Sequence, residues 1–291
     1  MVGEQWLSDF LNNGHILPRI KVENFLLVSL RLRPCSQMTL PAELQNAESM
    51  ASAIDEKIFP KIRSLQSEPD PRKKLVLIGA LKKEMRRTYE RFVKGTEIYR
   101  SHLSWVERIG LRKMVVDVRP TVEELYIFKD KDIGKKLRKL MKDREKYRAE
   151  AIASVRTGMD RTRYVFPEEF QGSWIREIGE VLGYPVCCVE TYASNREEGI
   201  NVELRASQQI EEATKVGTVN PLTYFVGYFF PCSPNCDEAL ERGSRCRECL
   251  IELDPRLGEM YLKFVTDNME RVRRQPEITE KYKARVGGLN S

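Results

Sequence analysis

Six of the seven cysteines in this 291-residue chain lie between positions 187 and 249: Cys187, Cys188, Cys232, Cys236, Cys246 and Cys249. Cys35 stands alone and reads as a small buried hydrophobe. The stretch from Met1 to Asn13 lacks a basic start followed by an apolar run, so no secretory signal is expected. The longest apolar stretches, such as 221–231, are too short and too broken by Gly and Pro to span a bilayer. The expectation is a cytoplasmic protein, and in that setting clustered thiols point to metal or redox chemistry more than to a disulfide framework.

Local sequence suggests how the thiols are presented. Gly183 is placed to end one helix in the left-handed conformation, and Pro185 to begin the next. Cys187 and Cys188 then fall in the first turn, where free N–H groups and the helix dipole favour a thiolate and lower its pKa. The segment Pro231-Cys-Ser-Pro-Asn-Cys236 reads the same way, with Ser233 as N-cap, Pro234 as first helical residue and Cys236 equivalent to Cys187.

Two ligand sets compete. Cys187, Cys188, Cys232 and Cys236 follow the helix-start logic, whereas Cys232, Cys236, Cys246 and Cys249 follow four-thiolate zinc spacing. Adjacent cysteines on a helix are expected to diverge, which is awkward for one tetrahedral ion and easier for an iron–sulfur cluster. With only His15 and His102 in the chain, a His-rich site is excluded. Tyr184 and Glu190 are candidate catalytic residues beside the cluster, with Tyr192, Asn195 and Asn220 as further polar candidates for a pocket lining. No dinucleotide fingerprint, phosphate-binding Walker loop or nucleophile elbow is present.

Leu182-Gly-Tyr-Pro-Val-Cys-Cys-Val189, followed by Phe230-Pro-Cys-Ser-Pro-Asn-Cys236, resembles the signature of a largely archaeal family, the domain of unknown function numbered 483. The resemblance covers roughly residues 170–265 and implies an archaeal, cytoplasmic setting but no reaction. In that family a His often stands just before Pro-Cys-Ser; here the position is Phe230, which removes one possible ligand or base. The resemblance favours the first ligand set, because Cys246 and Cys249 lie outside its blocks.

The rest of the chain reads as mainly α, with a few short strands near the N-terminus and a cysteine-bearing helical module in the C-terminal third. Residues 1–165 form a basic, mostly helical region, 166–275 the cysteine domain and 276–291 a polar tail. Alternation at Leu26, Val28, Leu30 and Leu32 suggests a strand over 24–33, and residues 113–118 a second. Helices are expected over 41–67, interrupted at Pro60, and over 71–99, 132–152 and 167–182. Thr121-Val-Glu-Glu124 looks like a capping box that opens a short helix.

From Pro71 to Val165, 27 Lys and Arg face 13 Asp and Glu, a net +14. Lys135, Lys136, Arg138, Lys139 and Lys142 form a basic face that could follow an RNA or DNA backbone, or simply a solvated one. Three functions follow as expectations. The first is an iron–sulfur or redox protein, with an enzyme of cofactor or RNA modification as its catalytic form. The second is a non-enzymatic nucleic-acid-binding protein with structural zinc. The third is a metal-free thiol–disulfide sensor.

Overall fold

The computed structural model describes residues 2–153 and 166–287. The chain divides into two compact units, 1–29 with 35–129, and 30–34 with 130–291. The composition shift near 162–167, taken from sequence as a boundary, falls largely outside the described residues.

The first unit is a small sheet with helices. Helix α1 (Val2–Asn12) is followed by a second helical segment, α2 (18–29), whose middle, Lys21–Leu26, is π-helical. Strand β1 (Cys35–Leu40) precedes the helices α3 (Ala47–Ser67), α4 (Pro71–Tyr89, extended by the π-turn Glu90–Lys94) and α5 (Glu97–Arg108). The hairpin β2 (Arg112–Arg119) and β3 (Val122–Phe128) completes the unit. The sheet is antiparallel in the order β1-β3-β2, with Cys35 opposite Phe128 and Leu40 opposite Glu123.

Several expectations fail here for identifiable reasons. Residues 24–29 are helical, not strand: Val22 to Val28 are all buried, and a segment covered on every side carries no reliable two-residue alternation. Asn24 instead ties the helix to β1, its amide donating to the Gln37 carbonyl at 3.1 Å while its own carbonyl accepts from Ser36 Oγ at 2.8 Å. Thr121–Glu124 starts no helix. Val122–Phe128 is the central strand, because Leu125 to Phe128 supply β-branched and aromatic side chains buried on both faces. Helix α3 runs through Pro60. The helix expected over 71–99 breaks at Gly95, and Thr96 caps a new one by accepting from the Tyr99 amide.

The core of this unit is aromatic: Phe10 meets Phe25 at 5.3 Å and Trp105 at 5.0 Å between ring centroids. Glu123 is buried among Tyr99 Oη at 2.9 Å, Tyr89 Oη at 3.3 Å and Lys94 Nζ at 2.5 Å. That network fastens the π-turn and α5 to the central strand, and burial with the Glu123 charge pushes both tyrosine pKa values up.

Among the described residues, the second unit is built of helices and the loops that join them. It contains α6 (Lys131–Ala153), α7 (Gly172–Leu182), α8 (Val186–Glu198), α9 (Val202–Val216), α10 (Asp237–Leu253), α11 (Pro255–Arg273) and α12 (Gln275–Gly287), with 3-10 turns at Pro167–Phe170 and Pro221–Tyr224. The expected stripe on α6 is present: Leu137, Leu140 and Met141 are buried. Tyr224 packs with Ala206, Ile210 and Val272 in one core cluster. The turn carbonyls are held from α11, Tyr261 Oη donating to Phe225 O at 2.7 Å and Asn268 to Tyr224 O at 3.3 Å. Among the described residues, no helix is long and apolar enough to cross a membrane.

His102 in α5 is fully buried; Nδ1 donates to the Ile98 carbonyl at 2.8 Å and Nε2 has no hydrogen-bond partner. Burial pulls its pKa down to about 4, so the ring is neutral. The folded value lies below the unfolded one near 6.5, so this contribution to stability is complete above about 6.5 and is lost as pH falls toward 4. Denaturant melts at pH 7 and pH 5 should show that His102→Phe removes about 2 kcal/mol of the acid-induced loss seen in the wild type; equal losses would contradict the assignment.

Candidate metal centre

The site begins at the α7–α8 junction. Ile175, Ile178, Val181 and Leu182 bury one face of α7. Gly179 lets α8 approach closely, since a Cβ there would lie 2.6 Å from Val189 Cγ2. Gly183 ends α7 at φ 75°, the left-handed conformation expected from sequence, and its vacant Cβ position faces Pro34 Cδ at 2.4 Å. Pro185 is the N-cap of α8 rather than its first residue, so Cys187 and Cys188 are its second and third residues, still in the expected first turn.

The second segment folds differently from the expectation. Helix α10 starts at Asp237, and Cys236 is itself the N-cap. Ser233 to Cys236 form a turn, closed by the Cys236 amide on the Ser233 carbonyl at 3.2 Å and the Asn235 amide on Ser233 Oγ at 3.2 Å. The serine side chain caps that turn rather than a helix. Cys187 and Cys236 are therefore not equivalent in position.

The four sulfurs of Cys187, Cys188, Cys232 and Cys236 lie within 4.8 Å of one another, two of the residues buried and two half-buried. Cys187 Sγ is 3.8 Å from Cys188 Sγ, and both are 3.6 Å from Cys236 Sγ. The Cys232 amide donates to Cys188 Sγ at 3.4 Å. The adjacent cysteines do not diverge, because no preceding turn crowds side chains at a helix start. Cys246, buried in α10, and Cys249 stand outside the group.

Three of the four thiols are raised rather than lowered, contrary to the helix-start expectation for Cys187 and Cys188. Burial, with the Cys236 sulfur beside it, pushes Cys187 up to about 12. Cys188 and Cys232 are raised as well, again chiefly by burial. For Cys236 burial acts in the same sense, but the Ala239 amide and the three neighbouring thiols outweigh it and bring the value down. Burial is the largest cost to ionising Cys187, Cys188 and Cys232, and a bound cation is what reverses that balance. Four converging sulfurs, a soft and preorganised donor set, fit a metal ion.

Arg205 of α9 is a residue that sequence reasoning missed. Its guanidinium donates to the Pro231 carbonyl at 3.4 Å, and its Nε is buried without a partner. Burial lowers its pKa while Cys232 and Cys188 pull it up, so its charge is felt by the sulfurs. Gln209, one turn on, donates to the Cys232 carbonyl at 3.4 Å. The four-residue spacing of Arg205 and Gln209 was readable, but nothing in sequence pairs α9 with the Pro231–Cys232 loop.

The other named candidates have structural partners. Tyr184 packs at 5.0 Å on Phe229 and 6.4 Å from Phe225, with Arg33 over its ring. Glu190 pairs with Arg176 at 2.8 Å. Tyr192 Oη accepts from Arg196, which also holds Glu203 at 2.7 Å. Asn220 caps the Pro221–Tyr224 turn, while the buried Asn195 amide nitrogen has no partner. On α6, Lys135 pairs with Asp132, Lys136 with Glu180 and Lys139 with Glu177. Arg138 and Lys142 lie on the same exposed side.

Residues 152–255 match the family described as "Protein of unknown function (DUF483)". The match begins earlier than the resemblance read from sequence, ends before residue 265 and takes in Cys246 and Cys249. The chain is also similar to the "Uncharacterized protein MJ1106" of Methanocaldococcus jannaschii, 34% identical over 68 residues, 23% of this chain. That alignment spans about a third (36%) of the relative's own length. No solved structure matches the chain.

Gly183→Ala should destabilise the protein by about 2–4 kcal/mol, combining the left-handed backbone with the contact on Pro34. Gly14→Ala, with nothing within 4 Å of the added carbon, is the control in the same chemical melts. Equal midpoints for the two variants would mean that the junction tolerates a side chain.

Proposed function

We propose that this chain is a metal-binding protein in which Cys187, Cys188, Cys232 and Cys236 hold one zinc ion in a closed, structural site. The observation that carries this reading is the sulfur spacing. A tetrahedral ion with metal–sulfur bonds of about 2.3 Å sets its ligands about 3.8 Å apart, and the separations between Cys187, Cys188 and Cys236 are 3.6 to 3.8 Å. An iron–sulfur cluster spreads its thiolates over separate irons, further apart than sulfurs that share one ion. The same spacing therefore favours zinc over the iron–sulfur reading, and a fixing role over catalysis.

All four positions would be thiolates, leaving none open for water or substrate, which is the pattern of structural zinc. When bound, the ion supplies charge neutralisation and a cross-link between the start of α8 and the loop before α10. The chain's own residues do the rest. The Cys232 amide orients Cys188, and Gln209 and Arg205 hold the loop backbone. Arg205 also offsets the net negative charge of a dication on four thiolates.

Anaerobically purified protein should be colourless and carry one equivalent of zinc by elemental analysis. Cys188→Ser should lose most of it and Cys249→Ser none. Brown protein with iron and sulfide would replace this reading with the iron–sulfur one. Metal-free protein showing a reversible two-proton mass change would replace it with the disulfide sensor.

Arg205→Gln should release zinc to a chelator about 10- to 100-fold more readily than wild type, the range seen for residues behind metal ligands. Unchanged release alongside full zinc loading would remove Arg205 from the site while leaving the zinc reading intact.

A further inference from the structure

Helix α4 carries a charge pattern that the metal site does not use. Lys74, Ile78, Leu81, Glu84 and Met85 are half-buried at helical spacing, and this stripe packs toward α3. The opposite side is open. Arg72, Lys73, Lys82, Lys83, Arg86 and Arg87 are all exposed, as are Leu75 and Val76 at 70% and 73%. Within Pro71–Tyr89 the sole carboxylate is Glu84, and it is paired with Lys61 at 3.0 Å. Asp70, just ahead, is engaged as the N-cap on the Arg72 amide.

Helix α6 looks similar in sequence but differs in space. Three of its five named cations are already matched by Asp132, Glu180 and Glu177. Within Pro71–Tyr89 the exposed face of α4 carries no carboxylate, and Glu90, exposed on the adjoining π-turn, sets a single acid against its six cations, so a strongly positive face is left for an outside polyanion.

We propose that the exposed face of α4 binds the phosphate backbone of a nucleic-acid duplex without reading its sequence. From residue 72 to residue 87 the face runs about 22 Å at 1.5 Å per residue. A duplex presents one phosphate charge about every 1.7 Å of its axis, so six cations along this length meet a continuous line of partners. An anionic lipid surface is the less apt occupant: an in-plane membrane helix buries a continuous apolar side, whereas the apolar stripe of α4 is turned to α3 and only Leu75, Val76 and Leu77 stand exposed beside the cations. The inference rests on the first unit alone and stands or falls independently of the zinc reading.

The test is fluorescence-anisotropy titration of the full chain against mixed-sequence RNA and DNA duplexes of about 20 base pairs across a salt series. Wild type should bind at low salt, with log affinity falling linearly in log salt. The triple variant Lys82→Gln, Lys83→Gln, Arg87→Gln should bind at least about tenfold more weakly at about 50 mM salt, with the slope shallower by about 2 to 3. The matched variant Lys135→Gln, Lys136→Gln, Lys139→Gln should behave as wild type. All three positions on α4 are exposed, and unchanged thermal melts verify folding. Comparing the two duplexes decides between RNA and DNA, and either supports the proposal. Three outcomes overturn it: no binding of either duplex at low salt, equal losses in both triple variants, or binding to phosphatidylserine vesicles without binding to duplex.

Discussion

Bringing four thiols within 4.8 Å of one another raises an electrostatic difficulty that the surrounding fold has to accommodate. Each thiolate formed makes the next harder to form, and burial of Cys188 and Cys236 adds to the penalty. The protein supplies some relief from its own groups: the Ala239 amide at Cys236, the Cys232 amide at Cys188 and the Arg205 guanidinium nearby. These are partial charges and one cation against four potential anions. A dication on the sulfurs is the simplest way to let all four ionise together.

That constraint bears on the backbone that carries the sulfurs. Gly183 turns the chain within two residues of the cap, so α8 begins with Cys187 and Cys188 already aimed. The loop that carries Cys232 and Cys236 is apolar before them, with Phe225, Val226 and Phe229 buried, and is held through its carbonyls by Arg205, Gln209 and Tyr261. Both segments are held by backbone hydrogen bonds and packing that involve no ligand.

Much of this was legible in the sequence because the relevant rules are local. Helix stripes such as Leu137, Leu140 and Met141, the left-handed Gly183, the hairpin strand at 113–118 and the grouping of Cys187, Cys188, Cys232 and Cys236 all follow from spacing or from a single backbone requirement. What escaped depended on partners far away in the chain. The 24–33 run looked like a strand because alternation loses meaning where, as over 24–28, every side chain is buried. Thr121 to Glu124 matched a helix cap, but pairing with two flanking strands decided otherwise. Ser233 capped a turn in place of a helix, and Arg205 had no sequence neighbour to give it away.

Cys188 and Cys232 stand 44 residues apart, and the whole of α9 and the Pro221–Tyr224 turn lie between them. An ion gripping both ends acts on the unfolded chain as a removable staple. By the scaling used for covalent cross-links, closing a loop of that length takes away about 4 kcal/mol of chain entropy from the unfolded ensemble. Unlike a sulfur–sulfur bond, such a staple needs no oxidant to form and no reductant to open. The persistence of this helical segment would then be governed by the supply of metal rather than by the redox state of its surroundings.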